Sequence, residues 1–412
     1  MIEEWRKQAE TDCSYKHAEI DRIAEANQRR VLDSFQNNRI SDSHFNSTTG
    51  YGYDDIGREG LEAVYAEVLG GEDALVRPQL VSGTHAISTV LSGLLRPGDE
   101  LVYVTGKPYD TLEEVIGKRG NPPGSLKEFN IDYKEVPLME SGGIDYAKAA
   151  QAITKQTKVI GIQRSKGYDD RPSFTVEQIG EMVKFFKEID ENLIVFVDNC
   201  YGEFVEEREP LHVGADIIAG SLIKNPGGGL ARTGGYIAGK KVLVERCANR
   251  LTAPGLGKET GPTLGTLQEM YQGFFLAPHV VAEALKGAIF TARFLELAGF
   301  QTSPSYDSIR TDLIQTVNFN TKEQMIAFCQ EIQKNSPVNS YVTPFPSEMP
   351  GYEDEVIMAA GTFIQGSSIE LSADGPIREP YTVFVQGGLV YAHVKIAITN
   401  AVQALKKKGI LE

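Results

Sequence analysis

A chain of 412 residues is longer than one simple core requires, so two domains, or one large domain with an appendage, are expected. Its 41% apolar and 24% charged residues are ordinary for a soluble globular protein. A formal net charge of −15 with no Lys/Arg run argues against a face built to neutralise nucleic-acid phosphates.

Residues 1–40 read as an amphipathic helix, dense in Glu, Arg and Lys. The opening "MIEEWRKQAE" mixes both charges and holds no apolar signal core. No window approaches the roughly 20 apolar residues of a membrane helix. Cys13, Cys200, Cys247 and Cys329 lie far apart without metal-ligand spacing, which suits free thiols in a reducing, cytoplasmic setting. "SDSHFNSTTGYGYDDIGREG", 41–60, is polar and turn-like, an exposed arm leading into a helix over 59–68.

From about residue 80 to 240 the chain alternates. "LVYV" (101–104), "KVIGIQ" (158–163), "LIVFVD" (193–198), "DIIAG" (216–220) and "GGYIAG" (234–239) are short apolar runs with helical patterns between them. That order predicts a mainly parallel sheet covered on both faces. A long apolar-periodic helix follows over 281–299. Beyond it, "TDLIQTVNF", "GSSIELSAD" and "YTVFVQGGL" alternate like antiparallel strands, with helices at 321–334 and 389–407. The division expected is an N-terminal helical segment and arm over 1–50, a large α/β domain over 51–289, and a small α/β domain over 290–412.

Ligands of open parallel sheets bind beyond the carboxyl ends of the strands, so the residues after each run are the candidates. Ser82, Gly83 and Thr84 open an amphipathic helix, where free N–H groups and hydroxyls suit a phosphate. A plain helix cap is the alternative. Asp198 ends a strand of five apolar residues, as a counter-ion for a protonated ring nitrogen or as a turn cap. In "DIIAGSLIKNPGGG", Lys224 is either a snorkelling lysine or a Schiff-base amine whose pKa desolvation and nearby positive charge lower. The glycines at 227–229 would then admit a flat ligand. Phosphate, ring nitrogen and aldehyde are the handles of pyridoxal 5′-phosphate, and these segments offer one partner for each. Arg164 and Arg171 in "IQRSKGYDDRPSF" read as spare anion binders at an entrance or as solvated loop charges.

The motifs resemble those of fold-type I pyridoxal-phosphate enzymes of the Cys/Met-metabolism group. "REGLEAVYAEVLGGEDALVRPQLVSGTHAI", "VDN" and "GSLIKN" are similar to that group's phosphate, pyridinium and lysine segments. The nearest likeness is to methionine γ-lyase-like, or aluminium resistance, proteins, and it covers about residues 50–395. It implies Lys224 as the cofactor-bonding lysine, Asp198 at the ring nitrogen, and Ser82, Gly83, Thr84 and Ser221 at the phosphate. It implies Tyr109 of "PYDTLEEVIG" stacked on the ring, with His85 as a competitor. Tyr51 or Tyr53, with Arg58, would reach a neighbouring subunit's phosphate, and Arg378 would take the substrate carboxylate. The activity implied is a carbon–sulfur lyase on a small sulfur-containing amino acid, in a homodimer or homotetramer with shared sites. Departures are Cys200 where the group has Thr, "NPGGG" after the lysine, and no "SLGG…R-x-S-x-G" segment. An aminotransferase, aldolase or decarboxylase, a silent stress-response binding module, and a nucleotide binder using "GGGLARTGG" remain alternatives.

Overall fold

Short aliphatic runs bounded by polar or glycine residues become strands, and the 3.6-periodic stretches between them become the helices that cover the sheet. The structure, a computed structural model, describes residues 1–120, 122–169, 171–349 and 354–411. In chain order its elements are α1 (Ile2–Asn37), α2 (Ile56–Leu69), β1 (Asp73–Arg77), α3 (Gly83–Leu94), β2 (Glu100–Tyr103), α4 (Asp110–Ile116), β3 (Asp132–Glu135), α5 (Tyr146–Ala152), β4 (Thr157–Gln163), α6 (Val176–Ile189), β5 (Ile194–Asp198), β6 (Ile217–Ser221) and β7 (Gly235–Gly239). There follow α7 (Lys241–Leu251), α8 (Leu267–Leu297), β8 (Gln301–Ser303), β9 (Gln315–Asn318), α9 (Lys322–Lys334), β10 (Val356–Ala359), β11 (Ser372–Pro376), β12 (Thr382–Gln386) and α10 (Tyr391–Lys407).

A seven-stranded sheet runs in the order β1-β7-β6-β5-β4-β2-β3. The pairs β2–β3, β2–β4, β4–β5 and β5–β6 are parallel, and β7 runs antiparallel to both its neighbours. A second, five-stranded antiparallel sheet has the order β10-β11-β12-β9-β8. The expected mixed architecture of a mainly parallel sheet plus a smaller C-terminal sheet is therefore present. The strand-end residues Gln163, Asp198 and Ser221 close neighbouring parallel strands, which sets them side by side along one edge.

One long helix differs from expectation, and the N-terminal one follows it. α8 starts at Leu267, 14 residues before the expected 281, and carries Pro278 inside it. It is long and apolar enough to span a membrane by length and composition, which the sequence reading did not anticipate, but 72% of its apolar window is buried inside the protein. Its apolar surface is used by the core. α1 buries Ala9, Cys13, Ile20, Asn27, Val31 and Ser34, a stripe that follows one helix face. Asn27 Nδ2 donates to the carbonyls of Phe204 (3.0 Å) and Glu206 (3.1 Å), so α1 braces the loop beyond β5.

The glycines after Lys224 do not make room for a ligand. A Cβ on Gly227 would lie 1.7 Å from the Leu222 carbonyl oxygen, and one on Gly228, whose φ is +54°, would lie 2.2 Å from that of Gly273. They let this loop close on itself and press backbone to backbone against α8. Gly227→Ala is expected to cost about 1–3 kcal/mol or more of stability through overpacking. A denaturant midpoint that falls at unchanged m-value would show it, and an unchanged midpoint would refute it. The same packing removes the nucleotide-loop reading of 227–235.

Candidate active site

Asp198 is 5% exposed at the end of β5. Its Oδ1 accepts the N–H of Cys200 at 3.1 Å. Burial pushes its carboxyl above the usual carboxylate range, against the pull of Lys224, the Cys200 donors and Arg171. The chain after it is held in an uncommon conformation, with Tyr201 at φ +72° and Phe204 at φ +63°. Non-glycine residues pay a steric penalty there and concentrate at functional loops. The bend puts the Tyr201 ring under Lys224, whose Nζ stands 4.0 Å from the ring centroid.

Lys224 is half-buried in the loop after β6, with its N–H directed at the Ser221 carbonyl at 3.4 Å. Burial works against its positive charge, but Cys200, Tyr201, Asp198 and Glu203 outweigh it and hold the amine above its ordinary value. The expected lowering is thus reversed in the chain by itself, because its neighbours are acids rather than cations.

Ser221 is buried at the end of β6. A Cβ on Gly83 would lie 3.3 Å from Ser221 Cβ and 3.3 Å from Cys200 Sγ, so the start of α3 abuts both strand ends. Ser82 caps α3, accepting the His85 N–H at 3.0 Å, so the cap reading holds for its side chain here. Thr84 Oγ1 lies 2.7 Å from Thr111 Oγ1. The His85 ring turns back on its own loop, where Nδ1 accepts the Val81 N–H at 3.2 Å. Tyr109, just before α4, instead lies against Gly167, whose Cβ would be 3.2 Å from its ring and 3.1 Å from Gln163 Nε2. Gln163 is paired in register with Asp198. Tyr109 thus stands beside Gln163, and His85 stands in the first turn of α3, whose start abuts the ends of β5 and β6.

The remaining expectations divide. Tyr53 is 52% exposed and stacks on Tyr51 with ring centroids 5.3 Å apart. Arg58, by contrast, does not project from an arm. α2 begins at Ile56, capped by Asp55, which places Arg58 in its first turn facing inward. It is 1% exposed, and its guanidinium donates to the carbonyls of Gly52, Glu259 (3.3 Å) and Gly261 (3.0 Å). Arg378 lies beyond β11, exposed and paired with Asp354 at 3.0 Å. It lines a cleft of about 240 Å³ with Tyr168, Asp169 and Phe384. Tyr168 and Asp169 also border Tyr109, so they join the Arg378 cleft to the strand-end recess.

Arg164 is neither an entrance anion binder nor a solvated charge, whereas Arg171 is part-buried and lines the recess beside Tyr109 and Gln163. Arg164 is fully buried, bonded to Asn199 (2.8 Å), Glu206 (2.8 Å) and Glu209 (3.2 Å). Arg171 donates to the carbonyls of Thr105 and Ser165 (2.5 Å). Gln163 was missed by the sequence reading, although a polar residue closing an apolar strand is the same signal that marked Asp198.

These groups meet the chemical needs of pyridoxal phosphate. An amine stands over a loop whose head is a buried carboxylate, and a helix start with two hydroxyl residues and a strand-end serine adjoins them. Buried Gln163 Oε1, Glu203 Oε2 and Asn225 Oδ1 lack hydrogen-bond partners. The buried strand-end carboxylate of Asp198, whose charge burial disfavours, is the group that a protonated ring nitrogen would answer.

The fold is the one that fold-type I pyridoxal-phosphate enzymes share. A pyridoxal-5′-phosphate-dependent protein of Escherichia coli shares this fold at TM-score 0.63 and 16% identity, over 93% of this chain and 97% of that one. The chain belongs to the methionine gamma-lyase family, whose model matches residues 2–406. Its cofactor is pyridoxal 5′-phosphate. The uncharacterized protein YnbB of Bacillus subtilis (strain 168) is 63% identical over 412 residues, covering 100% of this chain and 98% of its own. A solved carbon-sulfur lyase involved in aluminum resistance from Clostridium novyi NT is 50% identical at TM-score 0.95, over 98% of this chain and 96% of that one. The chain is thus a pyridoxal-phosphate-dependent protein of carbon–sulfur lyase type.

Proposed function

We propose that this chain is an enzyme eliminating sulfur from an amino acid, with Lys224 as the amine that bonds the cofactor aldehyde. The observation that carries the reading is Lys224 Nζ held over the Tyr201 ring at 4.0 Å, beside Asp198, on the carboxyl edge of the sheet. When bound, pyridoxal phosphate supplies a sink for the electron pair released at the substrate Cα. Asp198 holds a proton at the ring nitrogen, which also brings the positive charge its burial lacks. The first-turn N–H groups of α3, with Ser82, Gly83, Thr84 and Ser221, hold the phosphate. Tyr109 covers the ring. Lys224 takes the Cα proton and returns it, as base and then acid. Arg378 orients the substrate carboxylate across Tyr168.

The exposed Tyr51 and Tyr53 belong to an arm that completes the site of a second copy, so the working form is a homo-oligomer. The same reading assigns residues 51–289 to cofactor binding and 290–412 to a smaller domain, in a cytoplasmic enzyme. In β- or γ-elimination the carbon–sulfur bond breaks, the sulfur leaves as a thiol, and water releases a 2-oxo acid and ammonia. A screen of sulfur amino acids is expected to yield thiol, oxo acid and ammonia in equal amounts. Amino-group transfer to an added keto acid without ammonia would overturn the lyase assignment in favour of an aminotransferase.

A further inference from the structure

Lys224 has a second acidic neighbour whose role the cofactor's three handles leave unassigned. Glu203 is fully buried in the loop after β5. Its Oε1 accepts the Tyr236 hydroxyl at 2.7 Å, and its Oε2 has no hydrogen-bond partner. The fold makes room for this carboxyl. A Cβ on Gly220 in β6, four residues before Lys224, would stand 2.5 Å from Glu203 Oε1 and 2.5 Å from Tyr236 Cε1. Asn225, the residue after Lys224, donates Nδ2 to the Glu203 carbonyl at 2.9 Å. The two loops are therefore tied next to the amine. Tyr201, under that amine, lies two residues before Glu203.

The titratable groups facing Glu203 are Tyr236 from β7, Tyr65 from α2, Cys200 and Glu209 from its own segment, and Lys224 from the loop after β6. Lys224 is the cation in that set. A buried carboxyl with an unspent oxygen is costly unless a donor or cation answers it.

We propose that Glu203 is a positioning residue for Lys224: its carboxyl sets the proton occupancy of the amine and fixes it over the Tyr201 ring. The inference rests on Lys224 being the reactive amine. Burial pushes Glu203 up to about 8, with the Tyr236 hydrogen bond and Lys224 working against it. Glu203 thus releases its proton as pH rises through that value. The new negative charge favours the ammonium form of Lys224, so the free amine appears at higher pH than it otherwise would.

The test uses the full chain in two forms. Freed of cofactor, wild type and Glu203→Gln are acetylated with acetic anhydride across a pH series, and Lys224 is quantified by mass spectrometry against exposed Lys155. In the variant the Lys224 midpoint is expected to move down, with about tenfold faster labelling near pH 8 for each unit moved. With cofactor bound, the pH titration of its visible absorbance is expected to shift the same way. Tyr236→Phe removes the donor to Oε1, keeps Glu203 protonated to higher pH, and is expected to give a smaller shift of the same sign. It also carries the test if Glu203→Gln does not fold. Superimposable Lys224 profiles in either folded variant and wild type overturn the proposal. Borohydride fixation of the cofactor on Lys224 tests the reactive-amine reading separately, because a chain that fails it can still show or lack the Glu203 shift.

Discussion

Lys224→Ala is expected to abolish the covalent hold on the cofactor. Wild-type protein treated with borohydride is expected to carry the cofactor through denaturation, on the peptide containing Lys224, and the variant is expected to carry none. Elimination should fall by about 10²–10⁴-fold, the range for loss of a positioned proton-transfer group. The expectation follows from placement. Lys224 is half-buried, its Nζ lies over an aromatic face, and Asp198 and Glu203 flank it. A surface lysine has none of these partners. Lys166 is also buried at this end of the sheet and serves as the control. A reducible adduct that survives in Lys224→Ala, or moves to Lys166, would remove the assignment.

Arg164→Ala is expected to be the most destabilising substitution near the site, by about 3–5 kcal/mol, because it strands a buried carboxylate. Arg164 and Glu209 are both fully buried, 3.2 Å apart. Asn199 Nδ2 also donates to Glu209 at 3.1 Å, and the Phe204 N–H does so at 2.8 Å. The network therefore shapes the loop that carries Tyr201 and Glu203. Chemical denaturation measures the loss. A change below about 1 kcal/mol, the range of an exposed pair, would show that Arg164 is dispensable to the loop.

What the sequence disclosed, and what it hid, follows from range. β4, β5, β6 and β7 announce themselves as aliphatic runs, and Asp198 and Lys224 as the polar residues that end or follow them. β3, "DYKE", is a sheet-edge strand with no such run, and was not foreseen. α8 hid its first turns behind Gly273 and Pro278, residues that usually mark helix ends. Arg164 read as a loop charge because its partners lie 35 to 45 residues further along. Arg58 was misplaced for the same reason, since Gly261 is 203 residues away. Glu203 and Tyr236 are 33 residues apart, and no local pattern announces a pair that only sheet pairing creates. Periodicity reports neighbours a few residues away, while burial of charge is decided by the fold.

α8 packs up to Ile289 in the core that includes the parallel sheet, and from Phe290 to Leu295 in the core of the C-terminal sheet. α1 does likewise, with Ala9 in the second core and Cys13, Ile20 and Val31 in the first. Two rigid rods thus cross the seam together. Tyr168 of the loop after β4 reaches Asp374 of β11 over the same boundary. Swinging one sheet away from the other would have to twist both rods at once, so the two cores are braced as a single body.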